Sequence, residues 1–166
     1  MDAGLLLARM VFGLLMAAHG TQKLWGWFGG HGLAGTAGFF EQLGFRPGRF
    51  FAATAAGTEI AAGVLVAVGL LGPLGPALIV SVMIVAIATV HWPQGLFAAN
   101  NGIEVPLLYL VAAAAMALTG PGAYSVDALL GLTWPAAVSW LALALGVLGG
   151  LANLAIRKTG PTPATV

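Results

Sequence analysis

Cysteine is absent from the 166 residues, and charge is scarce: only 7% of positions are Asp, Glu, Lys or Arg. The first absence removes disulfides, thiolate nucleophiles, cysteine-ligated iron–sulfur clusters and C-x-x-C-H haem attachment. Any thiol chemistry must therefore belong to a substrate or a partner. The second absence bounds the class. A soluble domain carries about 25% charged residues. This chain is 60% hydrophobic with a mean hydropathy of +0.98, too little polar surface to be wetted all round. It reads as one domain living in a lipid bilayer. The net charge is +1, from six basic and five acidic residues. That leaves no basic face for nucleic acid and no acidic tail. The opening, MDAGLLLARMVFGLLMAAHG, has no basic stretch before its apolar run and an acid at position 2. It is expected to stay in place as a first spanning helix rather than be removed as a signal peptide.

What is present is apolar run after apolar run. A spanning helix needs about 20 mostly apolar residues, and in hydrocarbon a run of this length is plausible only as a helix. Five spans are expected, at about residues 3–27, 50–71, 74–92, 103–118 and 134–156. GPLGP at 72–76, Pro93 with NNG at 100–102, and TGPG at 119–122 break the chain between them. The fourth is the shortest; about 16 residues rise only about 24 Å. Between the first two spans, residues 29–49 form an interfacial connection. Its centre, Thr36 to Leu43, predicts a short amphipathic helix with Phe39, Phe40 and Leu43 on one side. The polar tail, 157–166, reads as disordered. Trp25, Trp27, Phe28, Phe45, Phe50, Phe51, Trp92, Phe97, Tyr124 and Trp134 flank the spans in the manner of aromatic belts. The 25 glycines and many alanines suit close helix packing in lipid, with Gly57, Ala61 and Ala62 in GTEIAAG at useful spacings.

With five spans, Lys23, Arg46, Arg49, Arg157 and Lys158 fall at one face and only Arg9 lies toward the other, where it is expected to snorkel. The positive-inside bias then puts the N-terminus outside and the C-terminus in the cytoplasm.

Depth brings the ionisable groups together. His19 lies eight residues in from Trp27, about 12 Å at 1.5 Å per residue, and Glu59 nine residues in from Phe50, about 13 Å. His91 ends the third span and Glu104 begins the fourth, both near the same face. His19 and Lys23, four apart, share a helix side, with Gln22 close to it. His19, Lys23, Glu59, His91 and Glu104 are therefore expected to line one cavity open to that loop face, with Asn100 and Asn101 at its rim. Each has a plainer reading beside this one. Glu59 could pair with His19 or Lys23 to lock two helices. His91 could cap carbonyls, Glu104 could answer a helix dipole, and Lys23 could reach headgroups. Trp25 could be a belt anchor rather than a stacking partner for a headgroup. Intramembrane ionisable groups are costly and functional by default.

Three chemistries suit the set. Two histidines and two carboxylates could hold a metal, but no H-E-x-x-H or comparable motif is present, and no metal is assigned. Proton handling suits His and Glu better. A quinone headgroup is the third: His19, Lys23 or His91 could donate to its carbonyls, and Glu59 or Glu104 could carry protons. The glycine-rich GWFGGHGLAG follows a spanning helix rather than a strand, so it fails the dinucleotide-binding context.

The residues also resemble a known family. ARMVFGLLMAAHGTQKLWGWFGGHGLAGTAGFFEQLGF, Glu59, VHWPQGLFAANNGIEVPLLYL at 90–110 and LTGPGAYSVD at 118–127 are similar to bacterial DoxX proteins. The resemblance implies an all-α integral membrane helical bundle of the bacterial inner membrane, a four-helix core to which a fifth C-terminal transmembrane helix is added here. It implies relatives within a thiosulfate:quinone oxidoreductase, and a mycobacterial member linked to a complex with a superoxide dismutase and a sulfur transferase. The positions matching the family's polar pattern are His19, Gln22, Lys23, Glu59, His91, Asn101 and Glu104; their roles do not come with the resemblance. The leading expectation is a redox-associated membrane subunit that meets quinone. His19, Glu59, His91 and Glu104 would handle protons, and Gln22, Lys23, Trp25 and Asn101 would hold the headgroup. Candidate partners are the bilayer, a membrane or soluble redox protein and a second copy of the chain. The alternatives are a transporter of a small solute or lipid, and a non-catalytic scaffold subunit.

Overall fold

The computed structural model describes residues 2–158, and among them the fold is all-helical. The long elements are α1 (Asp2–Trp25), α3 (Gly48–Val68), α4 (Leu74–Ala86), α5 (Glu104–Thr119) and α7 (Ala136–Ala155), with α2 (Gly32–Gln42) and the single turn α6 (Val126–Leu129) between them. Among the described residues, four stretches are long and apolar enough to cross a membrane: Asp2–Trp25, Gly48–Val68, Leu74–Gln94 and Ala136–Ala155. α5 is a shorter apolar helix. The chain is thus a multi-pass membrane protein.

Two helix pairs make the frame, α1 with α3 and α4 with α7, joined by α4 against α3 and α5. Small residues set both pairs, because a bare Cα lets backbones approach closely. A Cβ on Gly13 would lie 2.5 Å from the Gly63 carbonyl oxygen, and one on Gly63 would lie 2.5 Å from the Ala17 nitrogen. Gly146 and Gly150 of α7 pack in the same way on Ala77 and Ser81 of α4. Gly57, expected from its spacing to serve such a contact, faces open space; the seam runs instead through Gly63. Met16, Ala62, Val66, Ile79, Val80 and Ala113 fill the core between the pairs.

Helix ends follow the local chemistry. α3 stops at Gly69, which takes the left-handed conformation (φ 66°) that a side chain would resist. α4 does not run on regularly to Trp92. It passes through a π-helical turn, Ile87–His91, and a 3₁₀ turn, Trp92–Gln94. Pro93 explains the change: its ring would clash with the Thr89 carbonyl in a regular helix and it has no N–H to donate, so the preceding turn widens.

The two ends of the bundle are built differently. At one lie the 26–47 connection, the 92–103 connection and the end of α7, where Arg157 Nε donates to the Leu43 carbonyl oxygen and Lys158 N donates to that of Gly44 (2.9 Å). Of the expected tail, Arg157 and Lys158 are therefore anchored; residues 159–166 lie outside the described residues. At the other end Asp127, wholly buried, accepts from Leu71 N (2.9 Å), Gly72 N (2.7 Å) and Trp134 Nε1 (2.7 Å). Arg9 is not a snorkelling residue. It is 2% exposed, its Nη2 donates to the Tyr124 carbonyl oxygen, and its guanidinium lies over the bare Cα of Gly69. Close packing of α1 on α3 leaves it no route to the surface.

Candidate functional site

α1 and α3 cross so that Lys23, in the last turn of α1, meets Glu59, in the middle of α3. One ammonium donates to both carboxylate oxygens, at 2.7 and 2.6 Å. Glu59 is 3% exposed and the Lys23 side chain 29% exposed. A buried carboxylate is tolerable only when paired; here the pair is formed by the long lysine stem reaching inward. One N–H of the ammonium remains after these two bonds. The Lys23 backbone carbonyl oxygen accepts from Thr36 Oγ1 (3.2 Å), which fixes α2 across the end of α1.

The pair stands in the wall of a cavity of about 260 Å³. The cavity lies between the two helix pairs, with α2 and the Leu43–Phe45 connection over it. Phe39, Phe40, Phe45 and Phe51 supply aromatic walls. Thr54, Thr58, Ser81, Thr89 and Asn153 supply polar groups. The π-helical turn brings Thr89, Val90 and His91 to the same space. His91 Nδ1 donates to the Asn101 carbonyl oxygen at 2.7 Å. A carbonyl only accepts, so the hydrogen of the neutral ring sits on Nδ1 and Nε2 is left as an acceptor.

Of the residues singled out in the sequence, Lys23, Glu59 and His91 thus come together at one cavity. The others lie apart from it. His19 is exposed on the outer side of α1, where its Nδ1 donates to Gln22 Oε1 (3.2 Å) and its ring meets Tyr109 edge-on at 6.0 Å. Gln22 in turn donates from Nε2 to the Phe28 carbonyl oxygen (3.2 Å), bracing the chain as it leaves α1. Glu104 bends back over its own connection and accepts from Ala98 N (2.8 Å). Asn101 takes part through its backbone, in the left-handed conformation (φ 61°). Trp25 is exposed and packs on Trp27, centroids 5.1 Å apart. Among the described residues, no three His, Asp or Glu side chains converge as metal ligands would.

The hydroxyl and amide groups of the cavity were not singled out in the sequence. A signal for them existed: Thr54 and Thr58 are four apart, as are Ser81, Val85 and Thr89 in steps of four, a single stripe on each apolar helix. Asn153 carried no such signal; only the packing of α7 on α4 brings it to the wall.

These features define a class: a multi-pass helical membrane protein with a buried Lys–Glu pair beside an internal cavity. A family model described as DoxX matches residues 4–92. The chain belongs to the DoxX family. The matched segment contains Lys23, Glu59 and His91 and ends at Trp92, so α5, α6 and α7 lie outside it. Comparison with curated proteins and with solved structures gives no match.

Proposed function

We propose that this cavity takes up the ring headgroup of a lipid-soluble quinone and that Lys23, Glu59 and His91 manage its protons within a bacterial inner-membrane redox assembly. The observation that carries the reading is the Lys23–Glu59 pair, its carboxylate buried and its lysine partly open, facing a space of about 260 Å³ rather than packed against side chains on every side. That volume lies at the small end for ligand pockets: it suits a headgroup, not a whole lipid. Four phenylalanines give it apolar aromatic lining. Lys23 holds one N–H for a ring oxygen, and His91 Nε2 accepts a hydrogen from a ring hydroxyl. A quinone, when bound, supplies two-electron, two-proton carrier chemistry. The residues here bind, orient and exchange protons with it; electrons come from a partner protein. Glu59 balances the Lys23 charge and can take up a proton when that ammonium gives one away.

A second reading, a structural staple, is favoured by one observation: Lys23 and Glu59 satisfy each other, one ammonium bonding both carboxylate oxygens and tying α1 to α3. Equilibrium binding of a short-chain benzoquinone to the protein in lipid nanodiscs separates the two. Saturable binding is expected, weakened about tenfold or more by Glu59→Gln, which removes the charge that holds Lys23 in place. Absence of saturable binding by the folded wild type, or equal binding by Glu59→Gln, Lys23→Met and His91→Ala, would sink the quinone reading and leave the staple.

A further inference from the structure

The cavity is lined in part by a helix outside the family-matching segment. α7 contributes Asn153 to the wall, from the α4–α7 side of the space, across from Lys23 on α1 and Glu59 on α3. Asn153 Nδ2 donates one hydrogen to the Gly149 carbonyl oxygen (2.9 Å). That bond orients the amide and leaves one N–H and the carbonyl oxygen free. Four and five residues further on, Arg157 and Lys158 reach the connection between α2 and α3. Arg157 Nε donates to the Leu43 carbonyl oxygen, and Lys158 N donates to that of Gly44. Gly44 is in the left-handed conformation (φ 93°), and a Cβ there would strike the Lys158 carbonyl oxygen. Its neighbours Leu43 and Phe45 both line the cavity. One helix therefore supplies a polar group to the cavity and also ties down the wall that encloses it.

We infer that α7 sets the selectivity of the cavity: Asn153 reads an oxygen substituent of the headgroup from the wall opposite the ion pair, and the Arg157–Lys158 strap positions the Leu43–Phe45 wall. The inference rests on the headgroup reading above. Asn153 is a specificity-determining residue, and Arg157 a positioning residue acting through Leu43. A ring bearing a methoxy group beside its carbonyl presents an acceptor that the free Asn153 N–H can satisfy. A ring with methyl groups in that place offers that N–H no acceptor.

The experiment uses two short-chain benzoquinones of equal tail length, one dimethoxy and one dimethyl, with the full chain in nanodiscs. Wild type is expected to favour the dimethoxy ring by about two- to tenfold, the worth of one neutral hydrogen bond. Asn153→Leu and Asn153→Ala are each expected to bring the ratio to one while Kd for the dimethyl ring stays within about twofold. Gly44→Ala and Arg157→Gln are expected to weaken both rings alike, and to speed amide hydrogen exchange at Leu43–Phe45 in the ligand-free protein. A wild-type ratio of one, or a ratio unchanged by both Asn153 variants while Glu59→Gln still weakens binding about tenfold or more, would overturn the selectivity inference and leave the headgroup reading standing. Failure of wild type to bind either ring would overturn both. Unaltered exchange at Leu43–Phe45 in Gly44→Ala and Arg157→Gln would overturn the strap regardless of ligand.

Discussion

Glu59 and Lys23 do not stand in equal positions, and the difference predicts an asymmetry. Glu59 is almost wholly buried while Lys23 keeps nearly a third of its side chain in contact with the surroundings. Lys23→Met would leave a dehydrated carboxylate without its partner, a loss of about 3–5 kcal/mol for a stranded buried charge. Glu59→Gln leaves an ammonium that can turn outward, so its cost is nearer about 1–2 kcal/mol. The double variant Lys23→Met, Glu59→Gln should recover much of the first loss. Reversible unfolding in mixed micelles, run as a double-mutant cycle, checks the ordering; a Glu59→Gln variant less stable than Lys23→Met would contradict it. Asp127 makes a parallel case at the other end. It accepts three N–H donors, whereas an asparagine accepts through one oxygen and turns an NH₂ toward the remaining donors. Asp127→Asn is expected to cost about 3 kcal/mol, as one or more charge-assisted bonds are lost, and to lower the unfolding midpoint more than Trp134→Phe does.

At the scale of elements, run length made the long helices legible, since few other folds accommodate five apolar stretches. Their ends were legible where proline breaks the pattern, as at Pro73, whereas the second span, expected to run to residue 71, stops earlier at Gly69. What sequence could not supply was azimuth. His19 and Lys23 are four residues apart and share a side in outline. Yet the tight seam of Gly13, Ala17 and Gly20 on α3 turns Lys23 inward to Glu59 and leaves His19 outside. With 25 glycines in the chain, composition alone does not say which ones make that seam. Depth along the helices placed Glu59 and His91 well but carried no such rotation, and that is why Glu104 was drawn into the same set. The π-helical turn is the clearest case. Pro93 was legible as a break, but whether the strain goes into ending the helix or widening its last turn depends on packing around Thr89. Pro93→Ala should let α4 continue regularly. Losing the extra residue of the π turn rotates the chain beyond it by about 100°, so His91 would part from the Asn101 carbonyl. Nitrogen NMR of the His91 ring tests this: a single Nδ1–H tautomer is expected in wild type and a mixture in Pro93→Ala. Persistence of the single tautomer would mean that the loop, not the proline, sets the turn.

Across the whole molecule, the basic residues sort by end. Lys23, Arg46, Arg49, Arg157 and Lys158 lie toward the end that carries the cavity's covering wall, together with Glu41, Glu59 and Glu104, while of the acids only Asp2 and Asp127 lie at the other. Arg9, the one base near that second end, is sealed inside the bundle close to Asp127 rather than offered to headgroups. It therefore does not count against the bias, and the asymmetry of exposed bases is sharper than the sequence alone suggested. α5 adds to this. Its start is bonded to the 95–98 connection and the turn after it lies beside Asp2 and Leu5, so it carries the chain from one end to the other although it is short. Five crossings with the cavity end in the cytoplasm are the proposed topology. The lack of native cysteine makes a direct test simple. Gln94→Cys lies in the exposed connection at the cavity end and Leu129→Cys on exposed α6 at the other. A membrane-impermeant maleimide applied to intact spheroplasts is expected to label Leu129→Cys and to reach Gln94→Cys only after the membrane is opened. The reverse pattern would invert the protein and put the cavity's protons on the outer side. Labelling of both without permeabilisation would mean that α5 does not cross, which would place the α4–α5 and α6–α7 connections on one side and remove the five-span topology altogether.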